Sequence, residues 1–209
     1  MATERKELKF VLLGNSKVGK TSLVERFAAG GAGMISKDPS TTVASPETKK
    51  SLTITMEEGN EMEVMFKVID TAGSDALQHS TFGRNKGTHC VFLVFDLTNE
   101  ESLLGIQKEN GYRHSGIFGG QGWQEDIEVS FKESSPMVVL VGNKKDRQQD
   151  IVPGLRKEAE RRANEKGMQY CEVSAFEIDD HVEELFKRIA RDILKRERQE
   201  APTRSCQVM

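Results

Sequence analysis

The sequence predicts an α/β fold, in which a doubly wound, mostly parallel sheet of about six strands is flanked by helices. Apolar runs alternate along the chain with segments whose apolar residues recur every three or four positions, the spacing of an amphipathic helix. Two of the apolar runs, at residues 90–95 and 137–141, are uninterrupted. Such runs are typical of strands that are buried on both faces of a parallel sheet.

The strands are predicted from short runs rich in β-branched and aromatic residues. They are expected at residues 8–13, 52–56, 63–69, 90–95, 137–141 and 169–173. The turn sequence Glu58-Gly59-Asn60 separates the second strand from the third, and it predicts a hairpin between them.

The helices are predicted from apolar residues at three- and four-residue spacing. They are expected at residues 21–29, 123–132, 154–166 and 178–198. The last helix has an apolar face for packing on the sheet, formed by Val182, Leu185, Phe186, Ile189, Ile193 and Leu194. Two glycine-containing stretches without clear periodicity, at residues 28–46 and 105–122, are predicted to be long loops of the kind that are often functional.

Size and charge favour a single domain that does not bind nucleic acid. The chain has 209 residues, 30% of them charged, and a net charge of −3. A nucleic-acid-binding face usually appears as an excess of Lys and Arg, which is missing from this composition. We expect an extension at residues 1–7, a domain at residues 8–197 with an insertion at about 105–122, and a flexible tail at residues 198–209.

The sequence predicts neither a membrane-spanning helix nor a secretory signal. It contains no apolar stretch of 18 residues, and residues 1–9 are polar and charged. Its cysteines, Cys90, Cys171 and Cys206, are odd in number and widely spaced, which indicates a reducing compartment rather than a disulfide framework.

Residues 14–21 carry the pattern G-x-x-x-x-G-K-T between a predicted strand and a predicted helix, the context that a phosphate-binding loop requires. Its glycines allow a sharp turn that points backbone N–H groups at phosphate oxygens. Lys20 is expected to reach the β- and γ-phosphates, and the Thr21 hydroxyl to bind Mg²⁺. The predicted phosphate-binding residues are Asn15, Ser16, Lys17, Val18, Gly19, Lys20, Thr21 and Ser22.

Three further motifs follow in order, each at the end of a later predicted strand. Asp70-Thr71-Ala72-Gly73 supplies a carboxylate for Mg²⁺ and a glycine whose N–H can approach the γ-phosphate. Asn143-Lys144-Lys145-Asp146 supplies a carboxylate that can accept the N1–H and the exocyclic amine hydrogen of guanine, a pair that adenine lacks. Ser174-Ala175 supplies a backbone N–H for the base oxygen. The bound nucleotide is thus expected to be GTP or GDP, and Asn143 with Asp146 counts against an ATPase or a kinase.

In this order the motifs resemble the Ras superfamily of small GTPases over residues 8–197. The segments at residues 96–102 and 170–175, together with Ser16, are most similar to Rab-type members. The resemblance implies the P-loop GTPase fold, GTP hydrolysis with Mg²⁺, and two mobile switch loops. It also implies three kinds of partner, namely effectors, an exchange factor and a GTPase-activating protein.

The resemblance assigns roles to residues by position. The implied Mg²⁺ ligands are Thr21, Thr42 and Asp70, with Thr41 as the alternative to Thr42. The implied catalytic residues are Lys20, Thr42, Gly73 and Ser74. Ser74 stands where most members of the superfamily have a glutamine that orients the attacking water, and serine is too short to do the same. We therefore expect slow hydrolysis, or else a nucleotide-loaded interaction module with little or no hydrolysis.

Two other departures from the family affect the nucleotide. The first switch lacks the aromatic residue that usually stacks on guanine, and its place falls in the glycine-rich residues 30–34. Looser base binding and faster exchange are expected there, because glycine loses more conformational freedom on ordering. Lys17 either points to solvent or adds positive charge near the phosphates.

The insertion and the tail carry the remaining predictions. Residues 105–122 are expected to form a surface loop or a lineage-specific partner site. Cys206 begins the sequence Cys-Gln-Val-Met, a C-a-a-X pattern that predicts prenylation. One prenyl chain binds membranes reversibly, so we expect the protein on the cytoplasmic face of a membrane, with a soluble cytosolic pool. We also expect it to be a monomer.

Overall fold

One six-stranded sheet organises the part of the chain that the computed structural model describes, namely residues 5–35, 47–57, 59–71, 86–104, 127, 131 and 134–200. The strands are β1 (Arg5–Leu13), β2 (Glu47–Thr55), β3 (Glu61–Asp70), β4 (Cys90–Asp96), β5 (Met137–Asn143) and β6 (Gln169–Glu172). Their order across the sheet is β2-β3-β1-β4-β5-β6. The predicted fold class is confirmed.

The sheet is parallel except for the hairpin of β2 and β3. In that hairpin Leu52 lies opposite Val64. The turn closes through a bond of 2.8 Å from the Met56 N–H to the Asn60 carbonyl and one of 2.9 Å from the Gly59 N–H to the Met56 carbonyl. Gly59 has a φ of 78°, which a residue with a side chain rarely adopts. The predicted hairpin is therefore confirmed.

Four helices accompany these strands in the described ranges. They are α1 (Lys20–Ala29), α2 (Glu100–Leu104), α3 (Leu155–Glu165) and α4 (His181–Glu200). A short 3₁₀ turn occupies Gln148–Asp150. Of the helix predicted at residues 123–132, only Ile127 is described as helical, and most of the segment lies outside the described residues. Among the described helices, none is both long enough and apolar enough to cross a bilayer.

Several observed boundaries differ from the predicted ones, most of all at β2, which spans Glu47–Thr55 rather than residues 52–56. Two differences among the helices follow from local hydrogen bonds that override periodicity. The sequence pattern missed α2, which has only five residues and begins where the Asn99 side chain accepts a bond from the Glu101 N–H at 3.0 Å. Helix α4 begins at His181 rather than at residue 178. The His181 N–H donates to Asp179 Oδ1 at 3.0 Å, so the acidic segment before the helix caps it instead of joining it.

The sheet buries apolar side chains on both faces, as a doubly wound fold requires. On one face, α1 and α4 pack over an aromatic cluster in which the rings of Phe27 and Phe186 stack with centroids 4.0 Å apart. On the other face, α2 and α3 cover a second cluster that includes Leu13 and Phe95. Since β1, β3, β4 and β5 run parallel between these layers, their carboxyl ends all lie at one edge of the sheet.

Candidate nucleotide-binding site

The loop between β1 and α1 is shaped by backbone conformations that favour glycine. Gly14 has a φ of 145° and Gly19 a φ of 94°. A Cβ atom on Gly14 would lie 2.1 Å from the Val94 carbonyl oxygen, and one on Gly19 would lie 2.3 Å from Asn143 Nδ2. Both distances are well inside van der Waals contact, so a side chain at either position would push the loop away from β4 and β5.

Helix α1 begins directly after this loop, with Gly19 as its first flanking residue. The first N–H groups of an α-helix have no partner within the helix and carry the positive end of its dipole. Ser22 is buried, whereas Ser16 and Lys17 are exposed. The exposure of Lys17 favours the alternative in which its side chain points to solvent.

Lys20 is held inside the loop. Its side chain is 5% exposed, and its ammonium group donates to the carbonyls of Gly14 at 2.8 Å and Asn15 at 2.9 Å. Burial lowers the pKa of Lys20 to about 8, although the charge of Asp70 acts in the opposite direction. A phosphate group next to this amine would favour its charged form, so the arrangement suits an anionic ligand.

Thr21 and Asp70 meet where α1 begins and β3 ends. The Thr21 hydroxyl donates to Asp70 Oδ2 at 2.6 Å, and Asp70 is 1% exposed. Nearby, the Thr71 hydroxyl donates to the Leu12 carbonyl at 2.6 Å and ties the end of β3 to β1. A hydroxyl and a carboxylate are the hard oxygen donors that Mg²⁺ prefers, so the two predicted ligands in the described ranges fit this metal.

Asn143 joins the phosphate loop to the loop that follows β6. Its amide nitrogen donates to the Val18 carbonyl at 2.9 Å, and its Oδ1 accepts from the Ala175 N–H at 3.3 Å. Asn143 is 2% exposed, so its amide forms a buried hydrogen-bonded bridge between the two loops. The Ala175 N–H, predicted to meet the base, is directed at Asn143 here, and its contact with a base remains a prediction.

Asp146 lies on the surface, three residues after Asn143. It is exposed, and its Oδ1 accepts from the Ser174 hydroxyl at 2.5 Å. The Ser174 oxygen in turn accepts from the N–H groups of Phe176 and Glu177 at 3.0 and 3.2 Å. The carboxylate is therefore oriented by a fixed partner and still open to a ligand from solvent.

Lys144 spans the site from the other side. Its ammonium group donates to the Lys17 carbonyl at 3.0 Å and to Asp96 Oδ2 at 2.6 Å. Asp96 also accepts from the N–H and the hydroxyl of Thr98, at 2.9 and 2.7 Å. The sequence prediction did not assign Asp96 to the site, although it is the acidic residue at the carboxyl end of β4, where such a role could have been suspected.

Arg26 is the second residue next to the candidate site, after Asp96, that the sequence prediction missed. It lies on α1, is 3% exposed, and donates to the Ala175 carbonyl at 2.8 Å. Nothing in its spacing separates it from a solvated helix residue, so only the three-dimensional contacts reveal it. The predicted residues Thr41, Thr42, Gly73, Ser74 and Cys206 lie outside the described residues.

Comparison with known proteins identifies relatives over nearly the whole chain. A sequence model of the Ras family matches residues 9–195. The mouse Ras-related protein Rab-26 is 29% identical over 188 residues, which cover 90% of this chain and 63% of the relative. The human Ras-related protein Rab-30 is 30% identical over 195 residues, with 91% of this chain and 82% of the relative covered. The yeast GTP-binding protein YPT52 is 25% identical over 209 residues, with 90% and 82% covered.

Proposed function

The chain belongs to the Ras family of small GTPases, and on this premise we propose that it is a GTP-binding switch that cycles between GTP and GDP states and hydrolyses GTP slowly. The observation that carries the proposal is the Asn143 amide, which joins the phosphate loop at Val18 to the base-side loop at Ala175. One side chain thereby fixes the spacing between the two loops that would bind the phosphate end and the base end of a nucleotide. The Rab relatives favour a role in membrane traffic or signalling.

The phosphate end is served by residues 14–22. The N–H groups at the start of α1 and the Lys20 ammonium group bind the phosphate oxygens. Thr21 and Asp70, together with Thr42, which lies outside the described residues, would hold Mg²⁺, and the bound ion would supply positive charge to the phosphates. The carbonyls of Gly14 and Asn15 keep the Lys20 amine inside the loop.

The base end selects guanine through Asp146. Its carboxylate accepts the N1–H and the exocyclic amine hydrogen of guanine, while the Ser174 hydroxyl at 2.5 Å fixes its orientation. Adenine presents an acceptor at N1 and would leave the carboxylate facing a lone pair. Lys144, held by Asp96 and the Lys17 carbonyl, keeps the base-side loop against the phosphate loop.

The rate of hydrolysis depends on Gly73 and Ser74. A serine at the position of the usual glutamine leaves the attacking water without its orienting amide, so slow hydrolysis follows. The same residue favours a second candidate function, a module that stays loaded with GTP and acts by binding partners. In either case we expect effectors, an exchange factor and a GTPase-activating protein, and membrane attachment through a prenylated Cys206.

The identity of the bound nucleotide tests the proposal. Protein purified without added nucleotide is denatured, and the released nucleotide is separated by chromatography. Guanine nucleotide is the expected result, and adenine nucleotide would overturn the proposal. GDP supports the cycling switch, whereas GTP alone supports the loaded module.

Single-turnover kinetics then test the role of Ser74. We expect Ser74→Gln to raise the hydrolysis rate by about tenfold or more, because the amide restores a group that orients the water. Ser74→Ala, which has no polar side-chain group to orient water, is the matched control and should leave the slow rate unchanged. Equal rates for the wild type and Ser74→Gln would contradict the assignment of slow hydrolysis to this residue.

A further inference from the structure

Arg26 is a buried cation whose acceptors are main-chain carbonyls from two separate loops. Its Nε donates to Ala175 at 2.8 Å. Its Nη1 donates to Gly33 at 2.6 Å, to Gly31 at 3.0 Å and, at 3.4 Å, to Gly30. Arginine is almost never fully buried unless its donors are satisfied. One guanidinium therefore links the base-side loop to residues 30–33, the segment that follows α1.

Residues 30–33 are also packed tightly against the loop before α4. A Cβ atom on Gly31 would lie 2.2 Å from Asp180 Oδ1 and 2.7 Å from the Asp179 carbonyl oxygen. A Cβ atom on Gly33 would lie 2.4 Å from that of Ala29. The glycines are thus needed for close contact with their neighbours, whereas the sequence alone suggested that they make the segment loose.

The base-side loop reached by Arg26 carries the groups proposed to hold guanine. Ala175 donates to Asn143, and the neighbouring Ser174 donates to Asp146. Arg26 donates to the Ala175 carbonyl, whereas Asn143 accepts from the Ala175 N–H, so the two side chains hold the two peptide groups on either side of the Ala175 Cα. A shift of residues 30–33 would pull on the same guanidinium that fixes Ala175.

We propose that Arg26 is a positioning residue for nucleotide retention, coupling residues 30–33 to the loop at Ser174 and Ala175. This inference rests on the proposed function, since it concerns the release of the guanine nucleotide. Loss of the Arg26 bonds frees the base-side loop and speeds release. A protein partner that displaces residues 30–33 acts through the same residue and accelerates exchange without touching the base.

The chain offers a matched control in Arg162 of α3. This arginine is 4% exposed, close to the 3% of Arg26, and it lies on the other face of the sheet. There it bonds Glu158 on its own helix and, at 3.5 Å, the Leu103 carbonyl. Replacing either arginine removes a buried cation and lowers stability. Only Arg26 contacts the base-side loop, so only its replacement should change nucleotide release.

The test measures release of a fluorescent GDP analogue in the presence of excess GDP. We expect Arg26→Gln to accelerate release by about tenfold or more, because hydrogen bonds from a charged donor are the strong class. Arg162→Gln should stay within about twofold of the wild type. Arg26→Lys, which keeps a positively charged donor group, should recover part of the lost retention. The association rate should change less than the release rate in every variant.

Gly31→Ala tests the coupling from its other end. Its Cβ pushes residues 30–33 away from Asp179 and Asp180, so release should accelerate as in Arg26→Gln. The double variant should be no faster than the faster single variant, because both changes break one linkage. Full additivity of the two effects would overturn the inference.

Two further outcomes separate this inference from the proposed function. If the wild type binds guanine nucleotide but release is unchanged in Arg26→Gln, the coupling alone is overturned. The same holds if Arg162→Gln accelerates release as much as Arg26→Gln does. Wild type that binds no guanine nucleotide would overturn both. If Arg26→Gln fails to fold, the comparison of Arg26→Lys and Gly31→Ala with the wild type decides, and unchanged release in both would overturn the coupling.

Discussion

The two ends of the proposed nucleotide site are built differently. The phosphate end is one continuous segment, residues 14–22, shaped by glycines and by the start of α1. The base end is assembled from strand ends far apart in sequence, and side chains join them, as when Asn143 bonds both Val18 and Ala175. The phosphate end is therefore a local structure, whereas the base end depends on the assembled sheet.

This difference explains which parts of the molecule could be predicted from the sequence. The loop at residues 14–21 needs one strand, one turn and one helix in succession, and all three have local signals. The contacts of Arg26 with Ala175 and of Asp96 with Lys144 join segments far apart in sequence, so they leave no periodicity or turn signal. Helix α2 was missed for a related reason, since five residues capped by Asn99 are too short to show a helical period.

The largest effect is expected from a change at the phosphate end. Lys20→Ala should weaken GDP binding by about 100- to 1,000-fold, because it removes a buried charge-assisted bond to phosphate. Calorimetric titration of nucleotide-free protein measures the affinity. Val18 lies in the same loop with its side chain buried, and Val18→Ala keeps the backbone carbonyl that Asn143 bonds, so this variant serves as a packing control and should lose far less. Similar losses in both variants would mean that Lys20 only shapes the loop.

A change at the base end should affect the selectivity for guanine over adenine more than the binding of the phosphates. Asp146→Ala should weaken GDP binding by about 100-fold, since two hydrogen bonds to a charged acceptor are lost, and it should leave ADP binding unchanged. Competition of the two nucleotides against a fluorescent analogue measures the ratio. Asp150→Ala, an exposed aspartate that pairs with Arg147, is the matched control. Parallel losses of GDP and ADP affinity would contradict the assignment of Asp146 to the base.

A smaller effect is expected where the two ends are held together. Asp96→Asn weakens the bond of 2.6 Å to Lys144, whose ammonium group also reaches the Lys17 carbonyl. We expect GDP affinity to fall by about tenfold, in line with the loss of one charge-assisted bond. Glu158→Gln, which disturbs the pairing with Arg162 on the far face, should leave affinity unchanged. An unchanged affinity in Asp96→Asn would show that Lys144 is positioned without Asp96.

The smallest effect concerns His89, which lies just before the amino end of β4, away from the carboxyl ends that carry the site. His89 Nδ1 accepts from the Lys9 N–H at 3.0 Å, which requires a neutral nitrogen. Burial lowers the pKa of His89 from 6.5, the charges of Lys6 and Lys9 act in the same direction, and those of Glu197 and Glu7 oppose it. The stability that depends on neutral His89 is present above pH 6.5 and is lost as the pH falls through the folded-state pKa.

Chemical denaturation between pH 7.5 and 5, with His89→Gln as the variant that cannot titrate, measures this contribution. The wild type should lose more stability than the variant over that interval, while its nucleotide release stays unchanged. Parallel stability profiles would contradict the account of His89.

Titrating the nucleotide-free protein with GDP and with ADP in the presence of Mg²⁺ tests most directly whether a guanine nucleotide is held between the phosphate loop and the base-side loops. We predict that GDP binds at least about 1,000-fold more tightly, since a site built to accept base N–H groups rejects a base that lacks them. Equal affinity for the two nucleotides would contradict it.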